Sequence, residues 1–197
     1  MSERPRRWNH NIHYHGLVLD AVSNGARSAL DVGTGNGLLA ADLGAVVDDV
    51  VAIDIDGDVL ASARSKAEGV EWVCGDVMDY PFGRTFDVVA SVATIHHLPD
   101  PRAAFTRLAE LTAPGGVLVI VGLAQPSSPL DYAYAAAGAV QHRWFSWQYG
   151  YWEHSAPTVW PPPQTFDEVA RTALEVLPDA KWRRLPMFRY ALTWHRP

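Results

Sequence analysis

The chain has 197 residues, with 16 Lys+Arg against 22 Asp+Glu for a net charge of −6, 48% hydrophobic residues and 19% charged ones. That balance excludes a chain dominated by disorder, which needs low hydrophobicity and high charge, and the length gives one domain able to bury a core. A single cysteine, Cys74, excludes a disulfide framework or a cysteine zinc site.

In chain order, residues 1–15 carry Arg4, Arg6, Arg7 and three histidines but no apolar segment, which does not read as a secretory leader. Residues 11–22 have a helical pattern (Ile12, Leu17, Val18, Val22). Short apolar runs at 28–32, 50–53, 70–74 and 86–91 predict strands, with helices at 38–47, 57–67 and 101–111 between or after them. Residues 115–123 are apolar without alternation, as in a strand buried on both faces. The longest apolar stretch, 117–124, is far short of the ~20 residues of a membrane helix. A cytoplasmic protein without membrane contact is therefore expected. Residues 128–140 predict a helix, and 165–177 another, started by a Thr165–Glu168 capping box. The tail predicts two antiparallel strands, 181–185 and 189–194, joined at Pro186-Met187. Strands alternating with helices give an α/β fold, a doubly wound parallel sheet with helices on both faces.

Charge and aromatic residues are unevenly spread. Residues 42–87 hold eleven acids and three bases, which suits a cationic or uncharged ligand and not a phosphate backbone. Most of those acids read better as solvated surface. Residues 141–163 hold Trp144, Phe145, Trp147, Tyr149, Tyr151, Trp152 and Trp160.

The strongest local signal is Asp31-Val32-Gly33-Thr34-Gly35-Asn36-Gly37, between a strand and a helix. Glycines there allow positive φ and close approach of a ligand to backbone, and the helix start offers free N–H groups. A dinucleotide fingerprint needs its third glycine at position 38, where Leu38 stands. Asp54, with Ile55 beside it, ends the second strand, where a carboxylate can accept both hydroxyls of a ribose. Asp76-Val77 follows the third strand; a carboxylate there can accept from an exocyclic amine, or cap a turn.

These residues, with Phe86-Asp87-Val88-Val89, His96-His97-Leu98 and Pro114-Gly115-Gly116 in order, resemble the class I S-adenosylmethionine-dependent methyltransferases of small-molecule type. The resemblance is tight over 28–123 and looser over the tail. It implies a seven-stranded Rossmann-like sheet with an antiparallel C-terminal strand. It implies S-adenosyl-L-methionine as cofactor and S-adenosyl-L-homocysteine as product. By that resemblance Gly33, Gly35 and Gly37 hold the methionine part, Asp54 the ribose, and Asp76 and Val77 the adenine. Ser91 and Ala93 line the methionine side, and Tyr14 covers the cofactor from an N-terminal helix. The resemblance divides the chain into a cap (1–27), a cofactor core (28–123), an aromatic insertion or lid (124–164) and a last helix with hairpin (165–197).

His97, then His96, are the candidate catalytic bases, since a histidine at that rim titrates near neutral pH. The alternative for His97 is a structural hold on its loop. The aromatic stretch, with Trp147, Trp152, Arg143, His142, Glu153 and His154, reads as a substrate pocket or lid, or as a sheet cover or homodimer interface. His10, His13 and His15, two residues apart, fall on different faces of a helix, so no metal site is expected. The expected partner is a small apolar or aromatic metabolite. Nucleic acid is not expected, because no Asn-Pro-Pro-Tyr-like motif follows the fourth strand. A nicotinamide-dependent oxidoreductase and a non-catalytic cofactor-binding protein are the alternative functions.

Overall fold

The β-branched and apolar runs form strands because such side chains pack well on a pleated surface buried on both faces. In the computed structural model, which describes residues 8–152 and 160–197, they are β1 (Ser28–Val32), β2 (Asp49–Asp54), β3 (Val70–Cys74), β4 (Phe86–Val92), β5 (Thr112–Leu123), β6 (Lys181–Leu185) and β7 (Arg189–His195). They make one seven-stranded sheet in the order β3-β2-β1-β4-β5-β7-β6. The first five strands pair in parallel, while β7 runs antiparallel to both β5 and β6. The strand order reverses at β1, the place where ligands bind beyond the carboxyl ends of an open α/β sheet.

The helices are α1 (His15–Leu19), α2 (Leu38–Leu43), α3 (Gly57–Arg64), α4 (Pro101–Leu111), α5 (Pro129–Tyr149) and α6 (Phe166–Val176). Their starts are chemically set. The Asp56 and Asp100 carboxylates accept N–H bonds at the starts of α3 and α4, and capping boxes at Ser128–Asp131 and Thr165–Glu168 start α5 and α6. One sheet face packs on α4 and α6 through Phe105, Leu108, Phe166 and Val169; the other packs on α1 and α2 through Val18, Leu39 and Leu43. Each such buried side chain contributes roughly 1.5–3 kcal/mol.

Two expectations are corrected. The helix expected over 11–22 is a 3-10 turn, Ile12–Tyr14, followed by the short α1. The turn begins where the Asn9 side-chain oxygen accepts from Asn11 N and Ile12 N, both at 2.9 Å. The helix expected over 128–140 runs on to Tyr149. Residues 141–149 hold neither Gly nor Pro, and Gly150, at φ 76°, ends it. The aromatic stretch is therefore partly a face of α5, between β5 and α6. α5 is tied down by an ion pair of 2.5 Å from Arg184 Nε to the buried Asp131 carboxylate.

Among the described residues no helix is long and apolar enough to cross a membrane.

Candidate active site

Above the carboxyl ends of β1, β2 and β4 lies a cavity of about 870 Å³. That is near the top of the ~300–1,000 Å³ range of small-molecule sites.

One wall is made of loops that leave consecutive strands. Gly33 N and Thr34 N donate to Ile53 O at 2.9 and 3.1 Å, so the glycine loop is fastened to the end of β2. Gly33, at φ 68°, has no room for a side chain: a Cβ there would sit 2.1 Å from Thr94 Oγ1. At Gly35, φ 52°, a Cβ would meet nothing within 4 Å, which leaves its backbone open to the cavity. Gly37, at φ 74°, packs where a Cβ would meet Trp72 at 2.5 Å, so it shapes the loop from behind.

Asp54 accepts Gly35 N at 2.8 Å on one oxygen and Asp56 N at 3.0 Å on the other. A carboxylate oxygen has two lone pairs, so each keeps one for a ligand. Asp76 accepts Met78 N at 2.9 Å, a turn-capping bond, and its loop is held by Arg107 donating to Val77 O and Tyr80 O. Ile55, 74% exposed, lines the same wall, as do Val77 and Asp76. Asp31 is fully buried, and burial pushes its carboxyl up to about 6 against the bond it accepts from Thr34 Oγ1 at 2.6 Å.

The chain leaves β4 through Ala93, a non-glycine residue at φ 57°, whose N–H is held by Val121 O at 2.7 Å. Such strain persists where surroundings enforce it, often at sites. It turns the next residues into a 3-10 turn, Ile95–His97, that brings both histidines to the cavity. Their rings lie 4.1 Å apart. His96 is buried, its Nδ1 has no hydrogen-bond partner, and desolvation followed by the His97 and Arg189 charges lowers it to about 3. His97 is exposed and is also lowered by desolvation, opposed by the Asp54 charge.

The opposite wall is assembled from distant parts of the chain. Asn9, Asn11 and Ile12 come from the N-terminal turn, Tyr151 and Trp152 from beyond α5, and Trp160, Phe188 and Arg189 from farther along. Trp152 N donates to Trp8 O at 2.9 Å, which closes the N-terminal segment against the end of α5.

Several expected site residues stand elsewhere. Tyr14 is packed with Trp8, Val121 and Met187, and its hydroxyl donates to Pro186 O at 3.0 Å. Ser91 is buried and donates to Val32 O at 3.3 Å. Arg143 is exposed on α5, and Trp147 is 79% exposed beside Trp144. None of these four, nor Gly37, lines the cavity, whereas Trp152 does. Glu153 and His154 lie outside the described residues, as do Arg4, Arg6 and Arg7. The three N-terminal histidines take three different partners: His10 the His142 ring at 2.9 Å, His13 the Trp8 indole at 3.4 Å, and His15 the Asp42 carboxylate at 2.8 Å. Sequence reasoning missed Thr94, Phe188 and Arg189, and named Trp160 only as part of the aromatic stretch. For Arg189 a signal was present, a lone charge opening the apolar run Tyr190-Ala191-Leu192.

Comparison with known proteins bears directly on this arrangement. Residues 30–120 match the model of a methyltransferase domain. The chain is 39% identical to an uncharacterized methyltransferase, Rv0089, of Mycobacterium tuberculosis, over 96% of this chain and 98% of the relative. It is similar to the structure of S-adenosylmethionine-bound CalS10, an amino pentose methyltransferase from Micromonospora echinaspora, at 31% identity and TM-score 0.50, covering 54% of this chain and 50% of that one. It shares its fold with the N-methyltransferase NodS from Bradyrhizobium japonicum, seen with S-adenosyl-L-homocysteine, at 18% identity and TM-score 0.62 over 100% of this chain and 90% of that one. The chain belongs to the class I S-adenosylmethionine-dependent methyltransferases. Its cofactor is S-adenosyl-L-methionine, and the nicotinamide reading is set aside.

Proposed function

We propose that this methyltransferase moves a methyl group to an O, N or C nucleophile of a small apolar or aromatic metabolite. The observation that carries the reading is the two-sided cavity, with acids and open backbone on one wall and aromatic rings on the other. The amino pentose of CalS10 is likewise a small molecule.

The cofactor supplies a methyl group already activated by its positive sulfur. The residues present fit it. Asp31, Asp54, Asp56 and Asp76 line the cavity, an acidic setting for a net cation. Gly33 and Gly35 would cradle its amino-acid part with Ala93 alongside. Asp54, with a lone pair left on each oxygen, would hold the ribose. Asp76, Val77 and Ile55 would border the adenine. Ser91 and Gly37 support this wall from behind, while Tyr14 packs against Trp8 and Met187.

Methyl transfer is an in-line displacement. The nucleophile's lone pair forms the new bond to carbon while the carbon–sulfur pair stays on sulfur, giving S-adenosyl-L-homocysteine. What the protein contributes is alignment and exclusion of water. A nucleophile that arrives protonated must lose that proton, and His97, exposed to the cavity and held neutral by desolvation, is the group to take it. His96, neutral over the working pH range, borders the acceptor without adding charge. Trp152 and Trp160 would enclose the acceptor's apolar body, under a cap made by residues 8–27. The exposed Val140, Trp144 and Trp147 share one face of α5 at helical spacing, which fits self-association of a cytoplasmic homodimer rather than substrate contact. No nucleic-acid partner is expected, since the cavity wall is acidic.

Calorimetry with S-adenosylmethionine, S-adenosylhomocysteine and NADH tests the cofactor side. Binding of the first two and not the third is expected. Cofactor binding without turnover over a broad acceptor panel would instead favour a non-catalytic role.

A further inference from the structure

Arg189 is the one lysine or arginine among the described residues lining the cavity. It is only 6% exposed. One terminal nitrogen donates to Asn11 Oδ1 at 2.7 Å, and its Nε is buried with no partner. Among the described residues no carboxylate pairs with it; the groups that feel its charge are the Tyr14 and Tyr151 hydroxyls and the His96 ring. Burying a guanidinium is costly unless it is paired, and here the described residues provide only a neutral amide. Burial lowers its pKa to about 10, so it stays charged at neutral pH.

The position in the sheet says which ligand it faces. Arg189 opens β7 and pairs with Leu123 at the end of β5. β7 is three strands from β1, which at ~4.8 Å per strand puts it roughly 14 Å from the glycine loop. Its neighbours are Asn11, Phe188 and the aromatic wall, on the acceptor side.

From this we infer that Arg189 anchors a carboxylate on the acceptor substrate, so that the metabolite is an apolar or aromatic acid. A guanidinium presents a planar fork that matches a carboxylate. A phosphate dianion fits less well, because one guanidinium would leave it under-neutralised in a cavity lined by four aspartates. The inference rests on the methyltransferase reading of the cavity and names the substrate class for it.

The test measures binding to the intact protein with S-adenosyl-L-homocysteine present. Phenylacetate, indole-3-acetate and 4-hydroxybenzoate are each compared with the matching amide, and phenyl phosphate is added as a dianion. The acids are expected to bind at least tenfold more tightly than their amides to the wild type. That discrimination is expected to vanish in Arg189→Met and to be only partly kept in Arg189→Lys. S-adenosyl-L-homocysteine binding should stay within twofold in both variants. Equal binding of acids and amides, no binding of any acid, or tighter binding of phenyl phosphate would each overturn the inference. Retained discrimination in Arg189→Met, or a lost cofactor affinity there, would overturn it too, the latter by assigning Arg189 to the cofactor. If Arg189→Met does not fold, the acid–amide comparison on the wild type decides alone. Failure of S-adenosyl-L-homocysteine to bind the wild type would instead break the methyltransferase reading itself.

Discussion

The two walls of the cavity are built in different ways. The cofactor wall uses residues at the ends of β1 to β4, from Asp31 to His97, each fixed by backbone bonds such as Gly35 N to Asp54. The acceptor wall joins residues as far apart as Asn11 and Arg189, through a side-chain bond between those two and a backbone bond from Trp152 to Trp8. A wall made from consecutive strand ends is set by the sheet itself. A wall made from residues distant in sequence depends on side chains that can vary on the same sheet. The same family can therefore keep one wall and vary the other.

The largest expected effect is on the cofactor wall. Asp54→Ala removes a carboxylate with lone pairs for two hydroxyls and should weaken S-adenosyl-L-homocysteine binding about 100-fold, roughly 2.7 kcal/mol. An unchanged affinity would break the assignment of that wall.

His97→Ala probes the border between the walls. If His97 takes the acceptor's proton, kcat falls about 100-fold with cofactor affinity kept within threefold. The pH dependence has a definite sign. The His97 pKa lies below 6.5, so wild-type kcat should hold steady from pH 8 to pH 7 and fall only as His97 gains a proton below 6.5. The alanine variant should lose that fall. Unchanged turnover would leave His97 with a purely structural hold on its loop.

On the acceptor wall, Trp152→Ala should raise the KM of whichever acceptor the panel identifies about tenfold, with S-adenosyl-L-homocysteine affinity unchanged. Trp147→Ala, on the exposed face of α5, should change KM less than twofold. Similar losses in both variants would mean that the acceptor lies along α5 and not in the cavity.

A stability measurement sharpens the contrast further. Asp31 is held at about 6 against an ordinary 3.8, so the folded state keeps its proton more tightly than the unfolded one. Its contribution is full below pH 3.8 and is lost as pH rises through 6. His96, at about 3 against 6.5, acts the other way, and its contribution is lost as pH falls from 6.5 toward 3. Urea unfolding of Asp31→Asn against wild type should therefore favour the variant increasingly from pH 4 to pH 7, by on the order of 2–3 kcal/mol. A difference independent of pH would contradict the burial of that carboxylate.

How much was legible follows from the same contrast. The alternation of strands and helices and the antiparallel hairpin come from local patterns, because strand ends and glycine turns have short-range signatures, whereas the roles read onto Gly33, Gly35, Asp54 and Asp76 come from the family resemblance. Which aromatic residues of the stretch reach the cavity was not legible, because composition does not reveal helix phase. Tyr149 ends a helix that leaves Trp147 facing solvent and delivers Trp152 to the cavity. Tyr14 was expected over the cofactor, yet the Pro186 carbonyl takes its hydroxyl. Arg189 was read only as part of a strand, since its meaning depends on Asn11, 178 residues earlier, and on the lack of a carboxylate beside it among the described residues.

The central claim is that the walls are separable. It is tested most directly by calorimetric titration of S-adenosyl-L-homocysteine into wild type, Asp54→Ala and Arg189→Met. The account predicts about a 100-fold loss in Asp54→Ala and a change within twofold in Arg189→Met. Equal losses in the two variants, or a loss confined to Arg189→Met, would contradict it.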